Sequence, residues 1–433
     1  MKRKIYNDLL DWKNNNIDMP LMVIGARQIG KTYIINEFCK NEFNDYIYLN
    51  LFEDKGIVSI YKENISSEEK FHKLEIYINR KINLENTIIF FDEVQESEEL
   101  ISSLKYYSES DKPYKIICTG SLLGVKVNRF TGSFPVGKIR MLEMYSMSFD
   151  EFLFAYYGND LMIKEIKKCY ENNVSMSEVL HNELINLYNI YLIIGGMPAS
   201  VSNFISTKDI LLYDKNILSL IIDSYLNDMN KYLYDSYEKS KIENIYKSIP
   251  SQLGNQSNKF QYSKVEKNAR SKDYYNALNW LISSKMVLKC EKVNKIEKPL
   301  KAFIELDYFK LYLSDTGLLA NLLEIDINDL IFDNDFMYKG VIAENYVGNE
   351  LLRNNKSLYY WDSGNKAEID FLISTIDGII PIEVKASTNN QAKSLKVFME
   401  KYKSKYGIRI SLKNFGFENN IKSVPLYATF CIK

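Results

Sequence analysis

An octet near the start of the chain limits the fold more than any other feature. Residues 25–32 read GARQIGKT, which matches the pattern G-x-x-x-x-G-K-T. The short apolar run PLMVI precedes the octet, and a helical pattern beginning at Lys31 follows it. A strand, a glycine-rich turn and a helix in this order predict a phosphate-binding loop in an α/β domain built on a parallel sheet.

The residue types of this turn suit the phosphates of ATP. Glycines let backbone N–H groups approach the phosphates, and the helix N-terminus adds partial positive charge. We expect Lys31 to act catalytically at the β- and γ-phosphate oxygens and Thr32 to bind Mg²⁺ through its hydroxyl. The predicted nucleotide contacts are Gly25, Ala26, Arg27, Gln28, Ile29, Gly30, Lys31, Thr32 and Tyr33.

A second apolar run, TIIFFDE at 87–93, ends in two acids. A buried strand of a parallel sheet has this composition, and its last residues project at the carboxyl edge of the sheet. We expect Asp92 to hold the Mg²⁺ shell and Glu93 to act as the general base on water. The adjacent acids favour hydrolysis of ATP over phosphate transfer to a substrate hydroxyl.

A third apolar run, YKIICTGS at 114–121, carries Thr119 and Ser121 at its end. Their hydroxyls are candidates for sensing the γ-phosphate, although capping of the following helix would need the same residues. Arg129, with Lys138 and Arg140 nearby, is a candidate to supply positive charge in trans to an ATP site; a plain surface role is the alternative. The sequence leaves a homo-oligomer open.

The C-terminal region contains the stretch IDFLISTIDGIIPIEVKA at 369–386, two apolar runs joined by a turn. In an antiparallel hairpin, Asp370 and Glu383 can converge at one end, and strand alternation places Glu383 and Lys385 on one face. Glu344 lies in a helical pattern suited to packing on a sheet. Carboxylates of this kind bind Mg²⁺, and a lysine beside them stabilises phosphoryl charge. An ordinary strand ending in alternating charges is the alternative.

The middle of the chain is predicted to be helical from 150 to 233, with a break at 195–198. Residues 231–310 contain 16 Lys and Arg against 9 Asp and Glu. Within them, 262–269 and 271–284 have the pattern of a winged helix-turn-helix, and the buried stripe of the second helix comprises Tyr274, Ala277, Leu278 and Leu281. DNA phosphates would meet the outward residues Lys264, Lys267, Arg270 and Lys272, unless these form a solvated face.

Several blocks together resemble a known family. GARQIGKT, FFDEVQ, ICTGSLLGV, IIGGMPASV and KGVIAENYVGNEL are similar to blocks of AAA+-like ATPases of bacteria and archaea with a C-terminal domain of unknown function. In addition, Glu344, Asp370, Glu383 and Lys385 resemble the PD-(D/E)XK, or restriction-endonuclease-like, nuclease core. The resemblance implies an AAA+-like P-loop ATPase core at 1–155, a helical lid at 156–230, a winged-helix module at 231–325 and a nuclease-like α/β domain at 326–433.

Composition narrows the function classes further. A net charge of −1 argues against a uniformly basic DNA-coating protein. The five scattered cysteines lack metal-ligand or disulfide spacing, which favours reduced thiols in a cytoplasmic protein. No apolar run reaches 18 residues, so we expect no membrane span.

Two functions fit these observations. The first is an Mg²⁺-dependent ATPase that acts on DNA through a nuclease-like domain, where Lys385 would be catalytic and Glu344, Asp370 and Glu383 would bind metal. The second is a nucleotide-dependent regulatory or scaffold ATPase whose C-terminal domain binds nucleic acid or protein without cleaving it.

Overall fold

Two units make up the chain in the computed structural model. The first consists of residues 1–145 and 283–285, and the second of 146–282 and 286–433. The structure describes residues 1–15, 17–120, 134–135, 137–231, 236–255, 258–331, 336, 338–364, 367–387 and 393–433. Ser121 and Arg129, both predicted to serve the ATP site, lie outside the described residues.

The first unit is a five-stranded sheet with helices. Its described helices are α1 (Ile5–Asn15), α2 (Lys31–Glu42), α3 (Lys55–Lys62), α4 (Ser67–Tyr77) and α5 (Glu98–Glu109). Its strands are β1 (Leu21–Ile24), β2 (Asp45–Asn50), β3 (Thr87–Asp92), β4 (Lys115–Gly120) and β5 (Arg140–Glu143). They lie in the order β2-β3-β4-β1-β5, and all pairings are parallel. The predicted parallel sheet, and the strands predicted before the octet, at 87–93 and at 114–121, are confirmed.

Burial of the central strands explains their sequences. Every residue of β1 and β3 is buried, so both read as continuous apolar runs instead of alternating ones. Because all five strands run the same way, the ends of β1, β3 and β4 meet at one edge of the sheet. This edge carries the octet, Asp92 and Thr119.

The second unit begins with helices and continues into a large sheet. Its described helices are α6 (Phe149–Tyr157), α7 (Leu161–Asn172), α8 (Glu178–Ile194), α9 (Pro198–Thr207), α10 (Asn216–Lys231), α11 (Ser236–Leu253), α12 (Ser271–Ser283), α13 (Thr316–Leu322), α14 (Ile327–Ile331), α15 (Lys339–Arg353) and α16 (Lys393–Tyr402). Its strands are β6 (Val287–Val293), β7 (Ile304–Leu313), β8 (Tyr359–Asp362), β9 (Glu368–Thr375), β10 (Gly378–Val384), β11 (Gly407–Ser411), β12 (Gly416–Glu418) and β13 (Ile421–Pro425). The helical prediction for 150–233 is therefore confirmed over its described residues, 150–231.

One mixed sheet unites the C-terminal strands with those of the predicted winged-helix module. The order is β12-β13-β11-β10-β9-β8-β6-β7, and β6 pairs in parallel with β8 through Glu291 and Lys292. The sheet therefore runs across the predicted boundary between residues 325 and 326. The predicted hairpin is present, with β9 antiparallel to β10.

Only the second of the two helices predicted between 262 and 284 is present in the described residues. It is α12, and its predicted stripe, Tyr274, Ala277, Leu278 and Leu281, is buried. The helix predicted at 262–269 is wrong: residues 262–264 form a single 3₁₀ turn, and Asn268 has a φ of 66°. The left-handed backbone at Asn268 is incompatible with an α-helix through this segment.

Two expectations from sequence concern the cysteines and membrane-spanning helices. All five cysteines are free and buried, as predicted for reduced structural thiols. None of the described helices combines the length and the apolar character needed to cross a membrane.

Candidate functional site

The glycine-rich turn between β1 and α2 adopts a backbone that its glycines make accessible. Gly30 has a φ of 89° and Gly25 a φ of 152°. A Cβ built on Gly25 would lie 2.2 Å from the carbonyl oxygen of Met144, so the backbone at this position has no room for a side chain. Gln28 also has a positive φ, of 61°. The turn thus has a tightly curved backbone without side chains at its glycines, as phosphate binding requires.

Lys31 folds back over this turn. Its Nζ donates to the carbonyl oxygens of Gly25, at 3.0 Å, and Ala26, at 2.7 Å. The side chain is buried, and burial lowers the pKa of Lys31 to about 8, against the opposing effect of the Glu93 and Asp92 charges. Lys31 is therefore held at the mouth of the turn, beside the two acids that sequence predicted for the same site.

Asp92 is the centre of the hydrogen bonds at the sheet edge. Its Oδ2 accepts from the Thr32 hydroxyl at 2.8 Å and from the Tyr48 hydroxyl at 3.0 Å, and its Oδ1 accepts from the Thr119 hydroxyl. The carboxylate is buried, with 3% of the residue exposed. The structure thus brings together Thr32, Asp92 and Thr119. Tyr48 is a contact that sequence reasoning missed, because a tyrosine in a strand carries no local signal for this role.

Glu93 follows Asp92 in a strained conformation. Its φ of 54° is in the left-handed region, which is unusual for a glutamate. Its carboxylate accepts a hydrogen bond from the Gln95 amide. Strained backbone of this kind is concentrated at functional sites, where the surrounding structure holds a side chain in a required direction.

Arg3 supports the turn from outside the octet. Its Nη1 donates to the carbonyl oxygen of Ile29 at 2.9 Å, and its Nη2 donates to that of Tyr145 at 2.6 Å. Sequence reasoning made no prediction for the basic residues Lys2, Arg3 and Lys4. A planar guanidinium that bridges two carbonyls explains why one of these charges is buried.

The remaining predicted contacts of the first site differ in exposure. Ile29 is buried, so its contribution to a ligand would be through the backbone, whereas Tyr33 is 63% exposed.

The positive charge of Arg27 opposes protonation of Lys31, which places the two side chains in one electrostatic environment. Of the basic residues near Arg129, Lys138 forms an ion pair with Glu109 and Arg140 one with Asp11.

The second unit brings its four predicted residues into one cluster. Where the β9–β10 pairing ends, Oδ2 of Asp370 accepts from the backbone N–H of Val384 at 2.7 Å. Lys385 Nζ lies 3.1 Å from Glu383 Oε1. Burial lowers the pKa of Lys385, but the charges of Glu383, Asp370 and Glu344 outweigh it and raise the pKa above its ordinary value. The four side chains therefore share one electrostatic environment.

Glu383 has an unusual feature. The residue is 3% exposed, and its Oε2 has no hydrogen-bond partner among the described residues. An unpaired buried carboxylate oxygen is costly, so such an atom calls for a ligand. An oxygen donor beside Asp370 suits a hard divalent cation such as Mg²⁺.

Lys310 is the main residue that sequence reasoning missed at this site. It lies on β7, is 0% exposed, and its Nζ is 2.7 Å from Glu344 Oε1 and 2.6 Å from Glu368 Oε1. Its burial disfavours the charge, but the charges of Glu344, Glu368 and Asp370 raise its pKa well above the ordinary value. The signal was a lysine inside the apolar strand FKLYL, where a charge needs a buried partner.

The pKa values of two carboxylates in the cluster, Asp370 and Glu344, shift in opposite directions. Burial, reinforced by the Glu344 charge, raises the pKa of Asp370 to about 7. Burial acts the same way on Glu344, but the adjacent Lys310 ammonium reverses the effect and lowers the pKa of Glu344. Within the described residues, no group of three or more His, Cys, Asp or Glu side chains has an arrangement that could hold a metal ion. Glu344 is turned to Lys310, which leaves Asp370 and Glu383 as the pair that fits a cation.

Comparison with known proteins identifies the class of the first site. Residues 18–153 match the family model of an AAA domain. This segment is therefore similar to AAA domains. Residues 185–329 and 339–429 match two models of domains of unknown function, DUF8612 and DUF4143.

A relative and several solved structures are also similar to the chain. The uncharacterized protein MJ1544 of Methanocaldococcus jannaschii is 27% identical over 381 residues, which cover 83% of this chain and 74% of the relative. The Aeropyrum pernix ORC2 protein, solved with ADPNP and ADP, aligns over 76% of this chain and 92% of its own, with 13% identity and a TM-score of 0.39. The Saccharomyces cerevisiae Hsp104–ADP complex aligns over 81% of this chain, with 11% identity and a TM-score of 0.29. This chain spans 43% of that Hsp104 chain, and both TM-scores are weak.

The segment that matches the AAA model carries side chains suited to nucleotide chemistry at one edge of its sheet. A lysine ammonium, a hydroxyl paired with a carboxylate and a strained glutamate lie around the glycine-rich turn. Lys31 and Thr32 follow β1, whereas Asp92 and Glu93 lie at the end of β3, and the parallel sheet brings these two strand ends together.

Proposed function

We propose that the AAA domain hydrolyses ATP with Mg²⁺. The observation that supports this proposal is the hydrogen bond between Thr32 and Asp92, because a hydroxyl and a carboxylate in contact are the groups expected to hold Mg²⁺. Lys31 would exchange its bonds to the Gly25 and Ala26 carbonyls for phosphate oxygens. Glu93 would orient and deprotonate the attacking water.

Two variants test the ATPase proposal. Lys31→Ala should abolish tight binding of ATP, and Glu93→Gln should bind ATP but hydrolyse it slowly. Binding is measured with a fluorescent ATP analogue and turnover by phosphate release. Retained tight binding in the first variant, or unchanged turnover in the second, would remove the assigned role of that residue.

We propose further that the second unit cleaves phosphodiester bonds of nucleic acid. The observation that carries this proposal is the unpaired, buried Oε2 of Glu383, whose other carboxylate oxygen pairs with Lys385 and whose neighbour Val384 donates its N–H to Asp370. Asp370 and Glu383 would hold Mg²⁺, which would polarise the phosphate and lower the pKa of a bound water. Lys385 keeps its positive charge at neutral pH and is 41% exposed, so its ammonium can approach a phosphate and stabilise the charge that develops on it.

A basic cavity supports nucleic acid as the substrate class. It has a volume of about 530 Å³, and its lining includes one acidic residue and four cationic ones, Lys393, Lys396, Arg409 and Lys413. Arg409 on β11 is the register neighbour of Glu383 on β10, so the cavity lies beside the strand that carries the proposed site. Clustered cations in a concave surface attract the phosphates of a nucleic-acid backbone.

A cleavage assay tests this part of the proposal. Linear, supercoiled and single-stranded DNA would be incubated with Mg²⁺ or Mn²⁺, with and without ATP, and wild type would be compared with Asp370→Asn. Asp377→Asn is the matched control, because Asp377 lies in the turn of the same hairpin and its partner there is Lys405. We expect cleavage by wild type and the control and none by Asp370→Asn.

The result separates two functions. Cleavage that depends on Asp370 supports a nuclease, and its dependence on ATP would show whether the two activities are coupled. ATP hydrolysis without any DNA cleavage would reject the nuclease proposal and favour a regulatory or scaffold ATPase.

A further inference from the structure

Glu344, the third carboxylate expected at the metal site, is already occupied by donors of the protein. Its Oε1 accepts from the Lys310 ammonium at 2.7 Å and from the Tyr312 hydroxyl at 2.6 Å, and its Oε2 accepts from the Asn258 amide at 3.0 Å. A carboxylate offers about four lone-pair positions. Little capacity is left for a metal ion.

The buried ion pairs of Lys310 with Glu344 and Glu368 are costly to break. The ammonium is also 2.6 Å from Glu368, and the lysine side chain is 1% exposed. A buried ammonium is stable when it is paired and hydrogen-bonded, and removing a partner leaves an uncompensated charge. The Lys310–Glu344 pair is therefore a fixed part of the site.

Asp370 and Glu383 contrast with Glu344. Asp370 is positioned by the Val384 N–H through Oδ2, and Glu383 is 3% exposed with an oxygen that has no partner among the described residues. Mg²⁺ is commonly bound through one or two carboxylates while it keeps several waters. These two side chains meet that requirement without Glu344.

We infer that the second unit binds a single divalent cation, on Asp370 and Glu383. In this inference the Lys310 ammonium neutralises Glu344 and so replaces a second metal ion. The inference rests on the proposed function and specifies its metal stoichiometry. Lys310 is a positioning residue, since it holds Glu344 and Glu368 and repels a further cation from them. Glu344 is accordingly assigned to Lys310 instead of to the metal.

Direct metal binding tests the inference. The full chain, without nucleotide, would be titrated with Mn²⁺, and free Mn²⁺ would be followed by its electron paramagnetic resonance signal. The difference between wild type and Asp370→Asn counts the ions that depend on Asp370. We expect one such ion in wild type, none in Glu383→Gln, and one in Glu344→Gln, with affinity reduced by about 10- to 100-fold as for an outer contact.

Lys310 variants provide the second measurement. Lys310→Met should bind two ions, because Glu344 and Glu368 are released, whereas Lys310→Arg should keep one. Lys289→Met is the matched control: Lys289 is a lysine of the neighbouring strand that pairs with Glu291, and its removal should leave the count at one. If Lys310→Met does not fold, the Glu344→Gln and Lys310→Arg titrations decide the question.

The outcomes distinguish this inference from the proposed cleavage. Two Asp370-dependent ions in wild type, or loss of the ion in Glu344→Gln, would overturn the single-ion inference while cleavage could still occur. One bound ion without DNA cleavage would support the inference and reject the nuclease proposal. Absence of any Asp370-dependent ion would overturn both.

Discussion

The Thr32 hydroxyl donates a 2.8 Å hydrogen bond to the Asp92 carboxylate, although 60 residues separate them in sequence. The bond joins the first turn of α2 to the end of β3. Both groups are ligands that Mg²⁺ accepts, directly or through water. Their contact shows that the turn and the acidic strand end are positioned together.

Thr32 variants test this arrangement. Thr32→Ala removes the hydroxyl, and we expect the Mg²⁺ concentration for half-maximal ATP hydrolysis to rise by about 10- to 100-fold, the range found when metal-supporting contacts are lost. Thr32→Ser keeps the hydroxyl and should remain near wild type. Equal Mg²⁺ dependence of the alanine and serine variants would contradict a role for the hydroxyl.

Lys31 should make ATP affinity dependent on pH. Its pKa is lowered to about 8 by burial, and only the protonated ammonium attracts phosphate. Raising the pH above 8 therefore removes the charge from the free protein, and we expect the dissociation constant for ATP to rise by about tenfold per pH unit, as for the loss of one proton. Lys31→Met should bind weakly at all pH values. A flat profile between pH 7 and 9.5 in wild type would show that Lys31 does not control binding.

Arg3 should influence ATP binding from a distance. Its guanidinium bridges the carbonyls of Ile29 and Tyr145, and each charged hydrogen bond contributes about 1.5–3 kcal/mol. We expect Arg3→Met to weaken ATP binding and to lower the thermal midpoint of unfolding. Arg3→Lys should recover part of the loss, because an ammonium cannot reproduce the planar fork. ATP affinity would be measured by calorimetric titration. If Arg3→Met binds ATP as tightly as wild type does, the Arg3 contacts have no role in ATP binding.

Local sequence rules predicted the parts of both sites that depend on neighbours in sequence. The octet is bounded by an apolar strand and a helical pattern, and β1 and α2 have the expected positions. The hairpin followed from two apolar runs around Asp377-Gly378, and it brings Asp370 next to the end of β10. In each case one turn fixes the geometry, so a short segment of sequence contains enough information to predict that geometry.

Contacts between distant segments could not be predicted in the same way. Lys310 reaches Glu344 because β7 joins the sheet through β6, a pairing that no single segment encodes. Arg3 is similar, since it meets Ile29 only after α1 has packed. The helix expected at 262–269 failed for another reason: the helix-turn-helix pattern predicted it ahead of α12, but the backbone turns at Asn268. Charge inside an apolar strand is the one signal that pointed to Lys310.

His181 gives the second unit a separate dependence on pH. Its Nδ1 is 2.8 Å from the Tyr427 hydroxyl and its Nε2 is 3.1 Å from the Leu412 carbonyl oxygen, so the neutral ring satisfies both when Nε2 carries the proton. Burial lowers the pKa of His181 below its ordinary value of 6.5, although the Leu412 carbonyl opposes the shift. The folded state therefore binds a proton less readily than the unfolded chain does.

The sign of the effect follows from this difference. Above pH 6.5 the ring is neutral in both states and contributes no pH dependence; as the pH falls below 6.5, the unfolded chain takes up the proton first and stability is lost. We expect the thermal midpoint of wild type to fall more between pH 7 and pH 5 than that of His181→Gln. Asp370, whose pKa is raised to about 7, has the opposite effect in this range, but it is present in both proteins and cancels in the comparison. Parallel profiles for the two proteins would show that His181 accepts a proton in the folded state as readily as in the unfolded chain.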